Sequence, residues 1–320
     1  MVQMANSNYD DNDTAILILG GSGFLGLQTA QTLFYFYDVN SSYKESIAPI
    51  FYPEYNWTRL NFLESNLFEK NLLNIISRFD IKYVINFGAI SSPMQTKESP
   101  IESYQVNVQS NKIITKICNE KKIFPIFISS DHVFNGLEGP YAEESLTNPL
   151  VNSIYGKQKA EAERIYQNEE NYAILRLSTT LGINHHFQKK NFYGKILSAL
   201  KNGKEINSAS NKLRTPTHYF NIPFMINKII EKHSQGLISN GIFHIPGEFI
   251  SEYHLAIKIA ESHDLDTSLI RETIIDQDND SYPLKLGLKS EKTLKILQGR
   301  YLSLSEGLKL LYDDFTQDFD

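Results

Sequence analysis

Five apolar residues, Ala15-Ile16-Leu17-Ile18-Leu19, run directly into Gly20-Gly21-Ser22-Gly23-Phe24-Leu25-Gly26. No other stretch restricts the chain so strongly. A short apolar run that stops at glycine reads as a buried strand closed by a tight turn. Glycines at 20, 23 and 26 have separable uses: the turn itself, close approach of backbone to a pyrophosphate, and close packing of helix on strand. Alone, a glycine triplet is a turn. Between an apolar strand and the helical segment Leu25–Phe36 it reads as a phosphate cradle, in which helix-start N–H groups face an anion. The candidate cofactor contacts here are Gly20, Ser22, Gly23, Phe24, Leu25 and Gly26.

Strand and helix patterns alternate from this point. Ile47–Tyr52 is the expected second strand, and Trp57–Leu63 a further one. Glu54 lies nearby but follows Pro53, and no arginine is adjacent, so NAD and NADP are not distinguished. Asn66 and Leu67 open a helix over Phe68–Arg78 and are expected to border an adenine. Ile81–Ile85 is a strand leading to Gly88 and Ala89, a small-residue lip suited to a close cofactor. A long helix is expected over Ile101–Lys121, with Asn107 inside it as a surface residue or a polar bridge to the sheet. Strands over Ile123–Ile128 and Tyr172–Leu177 flank the helix that starts near Tyr155 and runs to Gln167. This rhythm predicts an α/β fold with a doubly wound parallel sheet of Rossmann type. Past Gly182 the rhythm loosens into helices over Phe187–Leu200, Phe224–His233 and Ser251–Ser262, with a strand over Ile242–Ile245. The expected organisation is a disordered tail over 1–13, a dinucleotide-binding domain over 14–182, and a smaller C-terminal substrate lobe over 183–320, with some segments free to return to the sheet.

A hydroxyl, a phenol and an ammonium are brought together in the middle of the chain. Ser130 follows the apolar run Ile123–Ile128 and so stands at the C-terminal lip of a strand, where open α/β sheets bind ligands. Tyr155 and Lys159 are one helical turn apart. Of 18 tyrosines only Tyr155 has a lysine four residues on; since chance alone yields about one such pair, its placement after strand, hydroxyl and loop carries the argument. Together the three groups form a proton-delivery device.

Composition removes other classes. A formal net charge of −6 argues against a nucleic-acid or anionic-membrane surface. No run of about 18 apolar residues occurs, so no membrane partner is expected. The single cysteine, Cys118, permits no internal disulfide and points to the cytoplasm; it sits in an apolar helical stretch as an inert thiol. No ligand cluster with metal spacing is present, so no metal is expected.

From Ala15 to its C-terminus the chain resembles the extended short-chain dehydrogenase/reductases, and among them is most similar to the dTDP-4-dehydrorhamnose reductases. The motifs are Leu19–Gly26, Ile128–Gly136 with Pro140-Tyr141 and Glu143 or Glu144, Asn148-Pro149-Leu150 through Lys159, Leu175–Ser178, Arg214–Thr217 and Gly241–His244. Ser130 stands where threonine is usual and His132 where tyrosine is usual. Tyr155 arrives one residue late, and Tyr282-Pro283-Leu284-Lys285 lacks an arginine–proline pair. The resemblance implies NADPH- or NADH-dependent reduction of a keto group on a nucleotide-linked deoxysugar. In it Tyr155 is the proton donor, Lys159 holds the nicotinamide ribose and lowers the phenol's pKa, and Ser130 fixes the carbonyl oxygen. Ser130, Asp131, His132, Val133 and Arg214 contact the substrate. It further implies a homodimer through the helices Ile101–Lys121 and Asn152–Gln167. Asp131 is followed by histidine, which argues against a 4,6-dehydratase, since that reaction needs an adjacent Asp–Glu pair. An epimerase using His185 or His186, and a regulatory subunit similar to the methionine adenosyltransferase beta subunit, are the alternatives.

Overall fold

In a computed structural model the chain is described over residues 14–45, 50, 52–182, 191–276 and 283–317, with side chains to 313. Seven strands form one sheet: β1 (Ala15–Leu19), β2 (Asp38–Tyr43), β3 (Asn56–Arg59), β4 (Tyr83–Asn86), β5 (Phe124–Ser130), β6 (Tyr172–Leu177) and β7 (Asn240–Ile245). Their order is β7-β6-β5-β4-β1-β2-β3, and every pairing is parallel. The doubly wound parallel sheet is therefore present. Its strand order reverses between β1 and β4, which opens a crevice beyond their C-terminal ends.

The unbroken apolar run of β1 follows from burial on both faces. Ile16 and Ile18 pack with α1 (Phe24–Leu33) and with the later helix Asn221–Ser234. Leu17 and Leu19 face α2 (Ser65–Phe79) and α3 (Ser110–Lys121) on the other side. Full burial of each such side chain stabilises the fold by about 2 kcal/mol. The helix carrying Tyr155, α4 (Ile154–Gln167), covers β5 and β6 through Ala162 and Tyr166, and the Ser153 hydroxyl caps it by accepting from Gly156 N at 3.0 Å.

The second strand departs from expectation. It is Asp38–Tyr43, not Ile47–Tyr52; residues 46–49 and 51 lie outside the described residues, and Ile50 is 75% exposed. The sequence Asp-Val-Asn-Ser-Ser-Tyr has too few apolar residues to read as a buried strand. It is buried nonetheless, because it packs beside the glycine turn, where Ser42 Oγ accepts from Gly20 N at 2.9 Å.

The C-terminal half does two things. Asn240–Ile245 returns to the main sheet as its edge strand. Helices Asn221–Ser234 and Glu291–Leu297 cover that sheet, and other segments build a second core that includes Leu181, Tyr193, Leu197, Leu255, Ile259, Leu308 and Leu311. The helix expected over Phe187–Leu200 is described as Phe192–Lys201, its first residues lying outside the described ones. A buried polar chain ties the sheet and α4 to the helix Glu291–Leu297. Arg176 of β6 donates to both carboxylate oxygens of Glu163 on α4, at 2.9 and 2.7 Å, and Ser129 Oγ donates to Glu163 at 2.6 Å. The Arg176 guanidinium also reaches Glu143 O at 3.4 Å, and the Glu143 carboxylate accepts from Thr293 N and Oγ1 at 2.8 and 2.7 Å.

Candidate active site

The turn after β1 has the form its glycines require. Gly20 adopts φ +72°, a conformation costly for any side chain. A Cβ on Gly26 would overlap Gly20 O and come within 2.8 Å of Gly21 Cα, so this glycine lets α1 pack on the turn. Gly23 is the N-cap of α1, and no side chain caps it. The first helical bond is Leu27 N to Gly23 O at 2.8 Å. The N–H groups of Phe24, Leu25 and Gly26 therefore lie ahead of the helix's own hydrogen bonding, available to an anion. Ser22 N is held by Ser42 O at 3.2 Å. The Phe24 ring packs edge-on against Tyr219, tying the cradle to the second lobe. These residues fit a dinucleotide pyrophosphate.

Across the crevice, Gly88 and Ala89 follow β4. Asn86 Oδ1 accepts from Gly88 N at 2.9 Å, and a Cβ on Gly88 would strike the Phe62 ring. Phe62, which stacks on Phe68 at 4.7 Å, is thus the aromatic group beside the lip. Asn66 and Leu67, expected near the adenine, lie exposed in the first turn of α2. The helical run expected over Ile101–Lys121 starts at Pro100 and passes through a π-helical turn at Gln105–Gln109. That turn aims buried Asn107 at the segment after β4. Its side chain accepts from Ile90 N at 2.9 Å, and donates to Ile90 O at 3.0 Å and to Gln158 at 2.8 Å. Asn107 is a bridge, which fixes the lip after Ala89 to α4.

Ser130 is the last residue of β5, as its position after an apolar run requires. Its hydroxyl donates to Asp131 Oδ1 at 3.1 Å and accepts from His132 N at 3.3 Å. Tyr155 and Lys159 lie 7% and 3% exposed on the buried face of α4. Burial pushes the Tyr155 phenol well above its usual range; hydrogen bonding to Ser130 pulls the other way, and the Asp131 charge adds to the rise. The phenol is a protonated donor at neutral pH. Lys159 Nζ donates to Ile128 O at 2.6 Å and sits 4.2 Å from the centroid of the Phe127 ring. Burial lowers this ammonium to about 7, against the opposing pull of Glu163. In the protein alone, then, Lys159 does not bring the phenol down: burial dominates both groups.

The residues expected to contact substrate divide. His132 lies half-buried with its ring edge-on to Tyr155, centroids 5.6 Å apart. Burial keeps its imidazole below the ordinary histidine range, with Asp131 opposing and Arg214 and Lys212 assisting. Asp131 is buried, and its second oxygen, Oδ2, has no hydrogen-bond partner. The Val133 side chain is fully buried with Phe134, Ala160 and Leu286. Arg214 is 4% exposed, and its terminal nitrogens donate to the carbonyls of Leu213, Leu284 and Pro283. Its guanidinium fastens the 283–285 segment beside the site. His185 and His186 lie outside the described residues. Cys118 is buried, and burial pushes its thiol far up, which leaves it inert. No cluster of three or more metal-ligating side chains occurs among the described residues.

The family model for the RmlD substrate binding domain matches residues 14–287. The chain belongs to this family. Membership extends from the glycine turn through the Arg214 segment, so it covers both the cradle and the Ser130–Tyr155–Lys159 lip. Methionine adenosyltransferase 2 subunit beta of Bos taurus is 27% identical to this RmlD-type chain over 268 residues, 80% of this chain and 74% of that protein. The UDP-glucose 4-epimerase of Yersinia enterocolitica is 28% identical over 262 residues, 78% of this chain and 72% of that one. Among solved structures, dTDP-4-dehydrorhamnose reductase from Bacillus anthracis in complex with NADP superposes with a TM-score of 0.78 at 20% identity, covering 94% of this chain and 99% of that one. UDP-glucose 4-epimerase from Thermotoga maritima with UDP-glucose gives 0.80 at 18% identity, covering 96% and 100%. These structures share the fold.

Proposed function

We propose that the chain binds a nicotinamide dinucleotide and uses it to reduce a keto group on a nucleotide-linked deoxysugar. The observation that carries this reading is the buried Tyr155 phenol, hydrogen-bonded to Ser130 at the C-terminal end of β5. Bound reduced nicotinamide supplies a hydride to the carbonyl carbon. Charge then develops on the carbonyl oxygen, and Tyr155 donates its proton there. Ser130 holds that oxygen by hydrogen bonding, so the donor need not search for it. Lys159 anchors the ribose when the cofactor is bound, exchanging its contact with Ile128 O. His132 and Asp131 contact the sugar from the turn after Ser130. Support for the cofactor comes from the open helix-start N–H groups, and support for the substrate class from the family.

Incubation with NADPH or NADH and a dTDP-linked 4-keto-6-deoxy sugar tests the reading. Loss of reduced-nicotinamide absorbance with formation of the sugar alcohol is expected. A second reading is favoured by the curated relatives: a dinucleotide-binding regulatory partner of a methionine adenosyltransferase. Dinucleotide binding without turnover of any keto-sugar, together with co-purification of a methionine adenosyltransferase catalytic subunit, would support that reading and reject the reductase.

A further inference from the structure

Three consecutive residues at the end of β5 are each bonded to a side chain of α4. Lys159 Nζ donates to Ile128 O at 2.6 Å. Ser129 Oγ donates to Glu163 Oε1 at 2.6 Å. Ser130 is hydrogen-bonded to Tyr155. Tyr155, Lys159 and Glu163 stand at successive turns of α4, all three buried. The first and third of these bonds belong to the proposed chemistry. Lys159 leaves Ile128 O for the ribose, and Ser130 and Tyr155 turn to the carbonyl oxygen. The Ser129 bond takes part in neither exchange. Its acceptor is also fixed from a second side. Ser129 and Arg176 are register partners on β5 and β6, as Phe127 and Ile174 are, so all four side chains emerge on the face that α4 covers. Arg176 Nε and a terminal nitrogen hold the two carboxylate oxygens of Glu163 at 2.9 and 2.7 Å. Ser129, Glu163 and Arg176 are all buried, so water does not compete for these bonds.

We infer that Ser129 and Glu163 are positioning residues of the active site: their bond holds β5 against α4, and with them Ser130 against Tyr155, while Lys159 changes partner. The inference rests on the reductase reading and deepens it. A hydroxyl that fixes the carbonyl oxygen and a phenol that protonates it come from two different elements, so their separation is only as well defined as the packing of strand on helix. A displacement of about 1 Å between such groups can cost about a hundred-fold in rate. The Ser129 bond sits one residue from Ser130 and two turns from Tyr155 on the other element, close enough to set that separation and outside the chemistry that would break it.

The test is Ser129→Ala in the full chain, beside wild type and Ser129→Thr. The alanine variant loses one hydroxyl, while Glu163 keeps both bonds from Arg176, so no charge is stranded. Its melting temperature should fall by only about 3 °C, and its dinucleotide affinity by calorimetry should match wild type. With NADPH or NADH and a dTDP-linked 4-keto-6-deoxy sugar, kcat per folded site should fall about ten-fold or more with KM little changed. The deuterium isotope effect on kcat, from reduced nicotinamide deuterated at the transferred position, should rise as hydride transfer becomes more limiting. Ser129→Thr retains the hydroxyl and should recover most of the rate. Wild-type kcat per folded site in Ser129→Ala overturns the inference, because the bond then only stabilises the fold. So does a Ser129→Thr variant no faster than Ser129→Ala. Both outcomes leave the reductase reading intact. A wild-type protein that turns over no keto-sugar overturns both.

Discussion

Tyr155 and Lys159 are buried ionisable groups one turn apart, and burial acts on them in opposite directions. The phenol keeps its proton, which a reductase's acid must do. Tyr155→Phe preserves the ring and its packing, so melting temperature and dinucleotide affinity should hold. Turnover of a keto-sugar should fall about a hundred-fold or more, read by steady-state kinetics. Lys159 is a different case. Its ordinary value of 10.5 is lowered to about 7 by folding. Between those values the unfolded chain binds more protons, so this group's contribution to stability is complete above about 10.5 and lost as pH falls toward about 7. Lys159→Met fills similar space without a charge. It should raise the melting temperature by at least about 2 °C near pH 6 and by less near pH 9, while weakening dinucleotide binding. A variant less stable than wild type at both pH values would show that the ammonium's bond to Ile128 O outweighs its desolvation.

At the scale of elements, the turn between β1 and α1 assigns its glycines different tasks. Gly26 is closed in by backbone atoms of Gly20 and Gly21, which cannot yield as a side-chain tip can. Gly26→Ala should therefore lower the melting temperature by about 4 °C or more, with or without cofactor. Gly23 is exposed, has an ordinary negative φ of −76°, and meets only Gly20 O at 3.2 Å. Gly23→Val should fold, and should lose dinucleotide affinity because its side chain fills the space in front of the helix. Unchanged affinity in a folded Gly23→Val protein would displace the cradle from this turn. The helical run from Pro100 to Lys121 was legible from its apolar spacing, yet the π-helical turn at Gln105–Gln109 was not. Such turns arise where tertiary contacts redirect one side chain, here Asn107 onto Ile90 and Gln158, and no local propensity encodes them.

Across the whole molecule, the buried chain Ser129–Glu163–Arg176–Glu143–Thr293 joins the sheet to the C-terminal helix Glu291–Leu297. The Arg176 and Glu163 side chains are 1% and 0% exposed. Removing one partner strands the other charge in the interior, so Arg176→Leu should cost about 3 kcal/mol or more in chemical denaturation. The proposed homodimer would form through the helices Ile101–Lys121 and Asn152–Gln167. Light scattering at micromolar concentration should give twice the chain mass, and a monomeric mass would remove that assembly.

What the residues determined by themselves was local and periodic. The apolar run into glycine, the Ser130 position after a strand and the Tyr155–Lys159 spacing depend on neighbours within a few residues, and each is where the pattern requires. Tertiary structure alone decided what depends on distant partners. Asp38–Tyr43 is the second strand because it packs beside the glycine turn, where Ser42 Oγ accepts from Gly20 N. Val133 and Arg214 are buried because the 283–288 segment packs onto them from far along the chain. Arg59 reached Lys44 because two parallel strands end in register. Period and spacing report which way a residue faces along its own element; they are silent on which segment arrives to cover it.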